Sequence, residues 1–269
     1  MSEILSGPVF RLTVYGARGS MAISGNEYRL FGGRTSCYLV QAGIASIFLD
    51  AGSGMLSAPV DFPEPPLVLL SHLHIDHLLG LGMYPRLSWK GQRTGIYVPV
   101  QDPAEAERAL CGLYSPPYWP LSLAGYAGDV QIHPLLFPLQ AGEAIIDGVE
   151  GNHPGGCVAM RIRFRGKTLI YLTDYEYSSS SFPRLSAFSE GADLILCDGQ
   201  YTQEQYETRK GFGHSTEEVG IALLETSRAK RLLLIHHDPH STDSELLDRE
   251  RQIGRENVHF AREGEVIDL

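Results

Sequence analysis

The sequence predicts an α+β fold in which two mixed β-sheets face each other with helices outside. Three observations lead there. Short apolar runs such as Pro66-Leu67-Val68-Leu69-Leu70, Ala192–Cys197 and Leu232–Ile235 are too short for helices and read as buried strands. The order of elements is strands, a helix, more strands, then alternating helix and strand, which suits two sheets with outer helices. The 269 residues carry no internal repeat and no low-complexity linker, so a single domain over 1–269 is expected.

Residues 9–15 alternate apolar and polar side chains and read as a half-buried strand. A glycine-rich segment, 16–35, follows. Its Gly16-x-x-Gly19 is not a phosphate loop, because no helix comes promptly after it. Residues 37–42 and 45–50 flank Gly43 as a hairpin, and the second strand ends at Asp50 before a tight Ala51–Gly54 turn. Four prolines make 59–66 a rigid connection. The buried strand ending at Leu70 leads into the loop 71–77, and a helix is expected from about Asp76 to Tyr84. Residues 95–98 read as a strand. Asp102 as N-cap with Pro103 at the first position starts a helix to about Leu113. Residues 114–128 are rich in aromatics and proline, and suit either packed surface structure or the wall of a substrate pocket.

Strands are expected at 130–136, 143–150, 157–164 and 168–172, then a helix at 180–189 and a buried strand at 192–197 ending at Asp198. Ser215 with Glu218 fits a capping box opening a helix to about Ser227. A strand at 232–235 stops at His236, a helix spans about Thr242 to Ile253, and a hairpin-like tail closes the chain.

Composition narrows the function. Hydrophobic residues are 43% and charged residues 20%, ordinary for a soluble globular protein. Net charge is −10, which disfavours a broad nucleic-acid surface but leaves room for a small anionic substrate at a metal. The four cysteines, Cys37, Cys111, Cys157 and Cys197, have no close paired spacing, so reduced thiols in the cytoplasm are expected. The N-terminus shows no signal-peptide pattern, and no run reaches the length of a membrane span.

The chemistry concentrates in Ser71-His72-Leu73-His74-Ile75-Asp76-His77, directly after a buried strand. In an extended loop His72 and His74 project to one side, while Asp76 and His77 lie past the turn and can face a second point. Imidazoles suit zinc, and a carboxylate adds a hard, negative oxygen. A histidine-rich solvated loop is the plainer alternative. Further His and Asp at strand ends downstream, His153, Asp174 and His236, argue against it.

The His-x-His-x-Asp-His pattern resembles the signature of the metallo-β-lactamase superfamily. Gly16–Ser20, Gly32–Cys37, Asp50–Gly54, His153–Gly156, Leu172–Asp174, Gly213–Thr216 and His236–Pro239 resemble, in order, motifs of its ribonuclease Z-like and cyclic-phosphodiesterase-like branch. That resemblance implies a four-layer αββα sandwich with two divalent metal ions at one edge of the sheet pair, zinc first and manganese or iron as alternatives. It implies that His72, His74 and His153 hold one ion, that Asp76, His77 and His236 hold the other, and that Asp174 bridges them. His236 and His237 compete for one role, and the inward position at the strand end favours His236. The resemblance gives catalytic roles to Asp76 and to His214, the latter near a leaving-group oxygen; a structural histidine at a helix entrance is the alternative. Asp50 is either a turn former or, by the resemblance, a support near the metal loop, and Asp198 and Tyr201 are either core-edge residues or groups that orient a ligand histidine. His133 and His259 read as ordinary histidines, and His240 could approach the site.

Two departures stand out. No insertion is long enough for the substrate arm of ribonuclease Z proteins, and Arg34 stands where relatives commonly carry Asn. The expected function is hydrolysis of a small phosphodiester, of cyclic-nucleotide or related type, by a metal-bridged hydroxide. Hydrolysis of a lactone, thioester or other acyl bond at the same centre is the alternative, and a non-catalytic metal- or metabolite-binding protein is a third reading. The expected partner is a small anionic substrate, with no extended nucleic acid and no membrane; a homodimer is left open.

Overall fold

The computed structural model describes residues 9–269, so the first eight residues of the N-terminal stretch read above lie outside the described residues. In chain order the strands and helices are β1 (Phe10–Gly16), β2 (Cys37–Ala42), β3 (Ala45–Leu49), β4 (Leu67–Leu69), β5 (Arg93–Val98), α1 (Pro103–Leu113), β6 (Asp129–Pro134), β7 (Leu139–Ala141), β8 (Ala144–Glu150), β9 (Val158–Phe164), β10 (Lys167–Leu172), α2 (Phe182–Phe188), β11 (Leu194–Asp198), α3 (Gln203–Glu207), α4 (Glu217–Ser227), β12 (Leu232–Ile235), α5 (Asp243–Ile253), β13 (Val258–Phe260) and β14 (Val266–Asp268). They form two seven-stranded sheets of order β14-β1-β2-β3-β4-β5-β6 and β13-β12-β11-β10-β9-β8-β7. Both are mixed: β3 to β6 and β10 to β13 run parallel, and the remaining neighbours are antiparallel.

Three apolar clusters show why the runs are continuous rather than alternating. Leu12, Tyr38, Val40, Ile47 and Leu69 of the first sheet meet Ile162, Leu169, Tyr171, Leu196 and Leu233 of the second. Their neighbours Leu39, Phe48 and Val68 face outward under α1 and the aromatic loop. On the other side Ile170, Ile195, Cys197 and Leu234 face outward under α2, α4 and α5. Each central strand is therefore buried on both faces, which favours apolar residues, β-branched and leucine above all, at successive positions. The result is the expected four-layer αββα sandwich. No helix among the described residues is long and apolar enough to cross a membrane.

Several local expectations are corrected. The predicted helix from Asp76 to Tyr84 is instead a series of short 3₁₀ turns, Ile75–His77, Leu81–Met83 and Pro85–Ser88. A Cβ on Gly80 would lie 2.2 Å from the Gly52 carbonyl, and one on Gly82 would lie 2.6 Å from the rings of Trp119 and Tyr114. This segment is built for close approach, and its glycines and Pro85 oppose a regular helix. The aromatic loop is what approaches it. Tyr114 donates to the Leu78 carbonyl and Tyr126 to the Gly82 carbonyl, while the Trp119 indole donates to the Tyr126 hydroxyl at 2.9 Å. Residues 114–128 are thus packed structure bracing the turns behind the histidine loop.

The Ser215–Glu218 capping box does not form. Helix α4 starts at Glu217 with Thr216 as N-cap and no side-chain cap bond. Ser215 instead donates its hydroxyl to the Tyr175 carbonyl and its amide to Asp198 Oδ1. Capping boxes do form where none was expected, at Thr202 with Gln205 on α3 and at Thr242 with Glu245 on α5. The tail is not a hairpin either. Strand β13 extends the second sheet beside β12, and the chain then crosses to place β14 against β1 in the first. Each apolar residue there has its own core to fill: Phe260 lies under α5 and Ile267 lies between the sheets.

The outer helices are tied down by a buried ion pair. Arg249 of α5 meets Glu217 of α4 at 2.5 Å and donates to the carbonyls of Gly199 and Tyr201 at 2.9 and 3.2 Å. Arg249→Ala leaves a buried carboxylate and two carbonyls without their donor, and should cost about 3–5 kcal/mol in urea unfolding. The exposed Arg11–Asp268 pair offers a control, since Arg11→Ala should cost no more than about 1 kcal/mol. Equal losses would refute this account of the α4–α5 anchor.

Candidate metal centre

The candidate residues stand at the ends of central strands, where the backbone leaves the sheet and side chains can converge. Asp50 follows β3, the histidine loop follows β4, Asp174 follows β10, Asp198 ends β11 and His236 follows β12. Asp50, Asp174 and His236 all adopt left-handed backbone, with φ of 60°, 45° and 61°, as does Ser20 at 59°. Such geometry is unfavourable for non-glycine residues and persists where the surroundings over-determine it.

Donor atoms gather in two separate groups, His72, His74, His153 and Asp174 in one and Asp76, His77 and His236 in the other, and a third set, Asp174, Asp198, His214 and His236, overlaps both. In the first, His153 Nε2 lies 3.1 Å from His74 Nδ1, and Asp174 Oδ2 lies 3.5 Å from His72 Nε2 and 3.7 Å from His153 Nε2. In the second, Asp76 Oδ2 is 3.2 Å from His77 Nε2 and 3.3 Å from His236 Nε2. Asp174 Oδ1 reaches the same two imidazoles at 3.2 Å each. One carboxylate thus offers one oxygen to each group.

Several of the candidate side chains are held by a second contact. Asp50 Oδ2 accepts from His77 Nδ1 at 2.6 Å and from the Tyr171 hydroxyl at 2.6 Å. The same carboxylate takes the Ser71 amide and hydroxyl at 2.7 and 2.8 Å, so it fixes both ends of the histidine loop. His153 donates Nδ1–H to the Gly213 carbonyl at 2.8 Å, and His236 donates to Gln200 Oε1 at 2.9 Å. The Ser20 amide donates to Asp76 Oδ2 at 2.8 Å. Contacts that fix the far nitrogen of an imidazole leave the near one free as a ligand atom. Glycine permits two of these approaches. A Cβ on Gly19 would lie 2.1 Å from His236 Nδ1, and one on Gly213 would lie 2.1 Å from His153 Nδ1.

The arrangement fits divalent metal. Tetrahedral bonds of about 2.0–2.1 Å space donor atoms about 3.3 Å apart, close to the separations here. His72 Nε2 is buried with no hydrogen-bond partner, an arrangement that a cation would explain. Burial pushes the His72 imidazole down to about 2, so it is neutral and available as a ligand. Burial also opposes charge on His77 and His236. Asp174 and its neighbouring carboxylates overcome that effect, raising His77 well above its usual range and His236 to about 9. The same field favours a cation at the point these groups share.

The structure distinguishes the other candidates. His237 is turned away: its Nε2 meets the Ala261 carbonyl at 2.8 Å and its ring packs against Phe31 and Phe260. Asp198 Oδ2 accepts from His214 Nδ1 at 2.8 Å, and the His214 ring stacks on His236 at 4.7 Å. His133 packs on Tyr97, and His259 pairs with Glu265 at 2.7 Å. His240 is exposed and joins neither donor group. Arg34 pairs with Glu263 at 3.1 Å. Sequence reasoning missed Gln200, Ser20 and Glu176. Gln200 and Glu176 each stand two residues beyond a strand-end aspartate, Asp198 and Asp174, and that spacing is the one signal that could have found them.

Zinc added to chelator-treated protein should raise its unfolding free energy, by about 2.7 kcal/mol per site when free metal is 100 times Kd. Asp174→Ala should lose most of that gain, because it removes one donor from each group. A thermal or urea transition indifferent to zinc would contradict the assignment. Gly213→Ala should weaken zinc binding by pushing His153 aside, read by competition with a chromogenic chelator; unchanged affinity would show that His153 is not a ligand.

Known proteins share this framework. Residues 45–237 match the β-lactamase superfamily domain. The chain is 29% identical over 264 residues to a protein of Bacillus subtilis (strain 168) named probable metallo-hydrolase YhfI, covering 94% of this chain and 98% of that one. It is 24% identical over 250 residues to a ribonuclease Z of Ignicoccus hospitalis, covering 77% and 82%. The crystal structure of the metallo-β-lactamase fold protein YhfI from Bacillus subtilis superposes with a TM-score of 0.72 at 25% identity, over 97% of this chain and 100% of that one. The matched span runs from the first residue of β3 to His237 and takes in both donor groups, so the chain belongs to the β-lactamase superfamily.

Proposed function

We propose that this protein is a dinuclear metal-dependent hydrolase of a small phosphodiester. His72, His74, His153 and Asp174 would hold one ion, and Asp76, His77, His236 and Asp174 the other. Two divalent ions so held would acidify a water for attack and offset negative charge on the phosphate. Zinc suits the imidazole-rich donor set, with manganese or iron as alternatives. A relative named metallo-hydrolase and another named ribonuclease Z support hydrolysis, the latter of a phosphodiester. The net charge of −10 favours a small anion over extended nucleic acid. The four unpaired cysteines suit the cytoplasm.

The observation that carries the choice of phosphodiester is the Asp198–His214 pair beside the donor groups. Asp198 holds His214 Nδ1 at 2.8 Å, and the same carboxylate takes the amides of Gln200 and Ser215. The imidazole is thereby fixed with Nε2 as its free nitrogen. Protonated, that nitrogen can donate to the oxygen leaving phosphorus, and Asp198 stabilises the charge on the ring before transfer. Asp76 contributes as a ligand and, through the Ser20 amide, anchors the glycine-rich segment to the centre.

His214→Ala should retain the fold and two metals while lowering turnover. General-acid assistance contributes about 10²–10⁴-fold. The loss should be large for an alkyl diester and small for bis(p-nitrophenyl) phosphate, whose phenolate leaves without a proton. Equal activity of variant and parent on the alkyl diester would remove His214 from the reaction and favour acyl-bond hydrolysis at the same centre.

A further inference from the structure

Beside His153 the surface opens into a cavity of about 650 Å³, lined among others by Asn152, Glu176, Tyr177, Ser178 and Gly211. That volume lies within the range of small-molecule sites. Its position relative to His214 follows from the backbone. Gly211 lines the cavity, Gly213 accepts the His153 hydrogen bond, and His214 comes next, its ring 5.4 Å from that of His153. A group leaving phosphorus with a proton from His214 would therefore depart beside this cavity.

The wall is built rather than incidental. Glu176 Oε1 accepts from the Tyr206 hydroxyl at 2.9 Å and the Gly211 amide at 2.8 Å, and Oε2 accepts from the Gly213 amide at 2.9 Å. Its own backbone is tied to Asn152 in both directions, at 2.9 and 3.0 Å. One residue, through its carboxylate and its backbone, thus locks the segment before His214 to the segment before His153. Its carboxylate is occupied by three donors, which offsets its repulsion of an anionic substrate. The next residue, Tyr177, is 48% exposed, and its ring lies 5.4 Å from that of Phe182. Phe212, between two left-handed glycines at the loop tip, is 62% exposed.

We infer that this cavity receives the leaving group of the phosphodiester and selects a planar aromatic or heteroaromatic ring, stacked on Tyr177. An exposed ring offers a π-face that pairs best with another ring at a centroid separation of about 4.5–7 Å. Ser178 and Ser179 supply hydroxyls for polar substituents on that ring. The inference rests on the phosphodiesterase reading above.

Two substrates test it, methyl phenyl phosphate and methyl hexafluoroisopropyl phosphate, whose leaving groups are of similar acidity but differ in planarity. With metal content matched, Tyr177→Ala should raise KM for the phenyl ester about 3- to 10-fold and leave the fluoroalkyl ester within twofold, while Tyr177→Phe behaves as the parent. Equal changes for both esters, or none for the phenyl ester, would overturn the ring pocket. Saturation-transfer NMR with phenol separates the two claims. If the parent hydrolyses neither ester, the phosphodiesterase reading fails. Phenol saturation lost in Tyr177→Ala would still support the pocket, and saturation undiminished in the variant would overturn it.

Discussion

The structure turns on the carboxylate of Asp174. It is buried to 1% exposure, and its two oxygens serve different neighbours, Oδ2 beside His72 and His153 and Oδ1 beside His77 and His236. A buried charge of this kind is costly unless paired. Here four separated stretches of chain supply neighbours for it, the histidine loop, His153, His214 and the turn after β12. Burial works against ionisation of Asp174, and the surrounding imidazoles overcome it, holding its carboxyl well below the usual range. The proposed metal pair would take over that charge compensation with shorter, stronger contacts.

Holding so many polar groups at one point requires rigid supports. The parallel central strands bring Asp50, Asp174, Asp198 and His236 to sheet ends, and left-handed backbone at three of them directs the side chains inward. Each such residue stores strain of order 1–3 kcal/mol, offset by the apolar cores on both faces of the sheets. Asp50 links these layers most directly. Its carboxylate receives Tyr171 from the second sheet while it clamps Ser71 and His77 of the first. Loss of that clamp would loosen the histidine loop without touching a metal-facing atom.

Much of this was legible in the sequence because the physics there is local. Buried parallel strands impose unbroken apolar runs, and Asp102-Pro103 marks a helix start by cap chemistry alone, so the central strands and α1 emerged within a residue or two, while the short edge strand β7 did not emerge at all. The spacing of His72, His74, Asp76 and His77 exposed the metal chemistry. What sequence reasoning missed depends on partners distant in the chain. The segment after His77 follows helical rules until Trp119 and Tyr114 press on Gly82. Ser215 would form a capping box with Glu218 if Asp198 did not claim its amide and the Tyr175 carbonyl its hydroxyl. The tail would pair with itself if β1 and β12 did not each offer an open edge. Glu176 reads as an ordinary surface acid until Gly211, Gly213 and Tyr206 are placed around it. The pairing of donors into two groups required the resemblance, since spacing cannot say which histidine faces which point.

The central claim is that Asp174 is shared between two metal ions, and anomalous diffraction at the zinc edge from zinc-loaded crystals tests it most directly. The account predicts two peaks about 3.5–4 Å apart. Asp174 Oδ2 should bind the ion held by His72, His74 and His153, and Oδ1 the ion held by Asp76, His77 and His236. A single peak, or two peaks with both Asp174 oxygens on one ion, would contradict it.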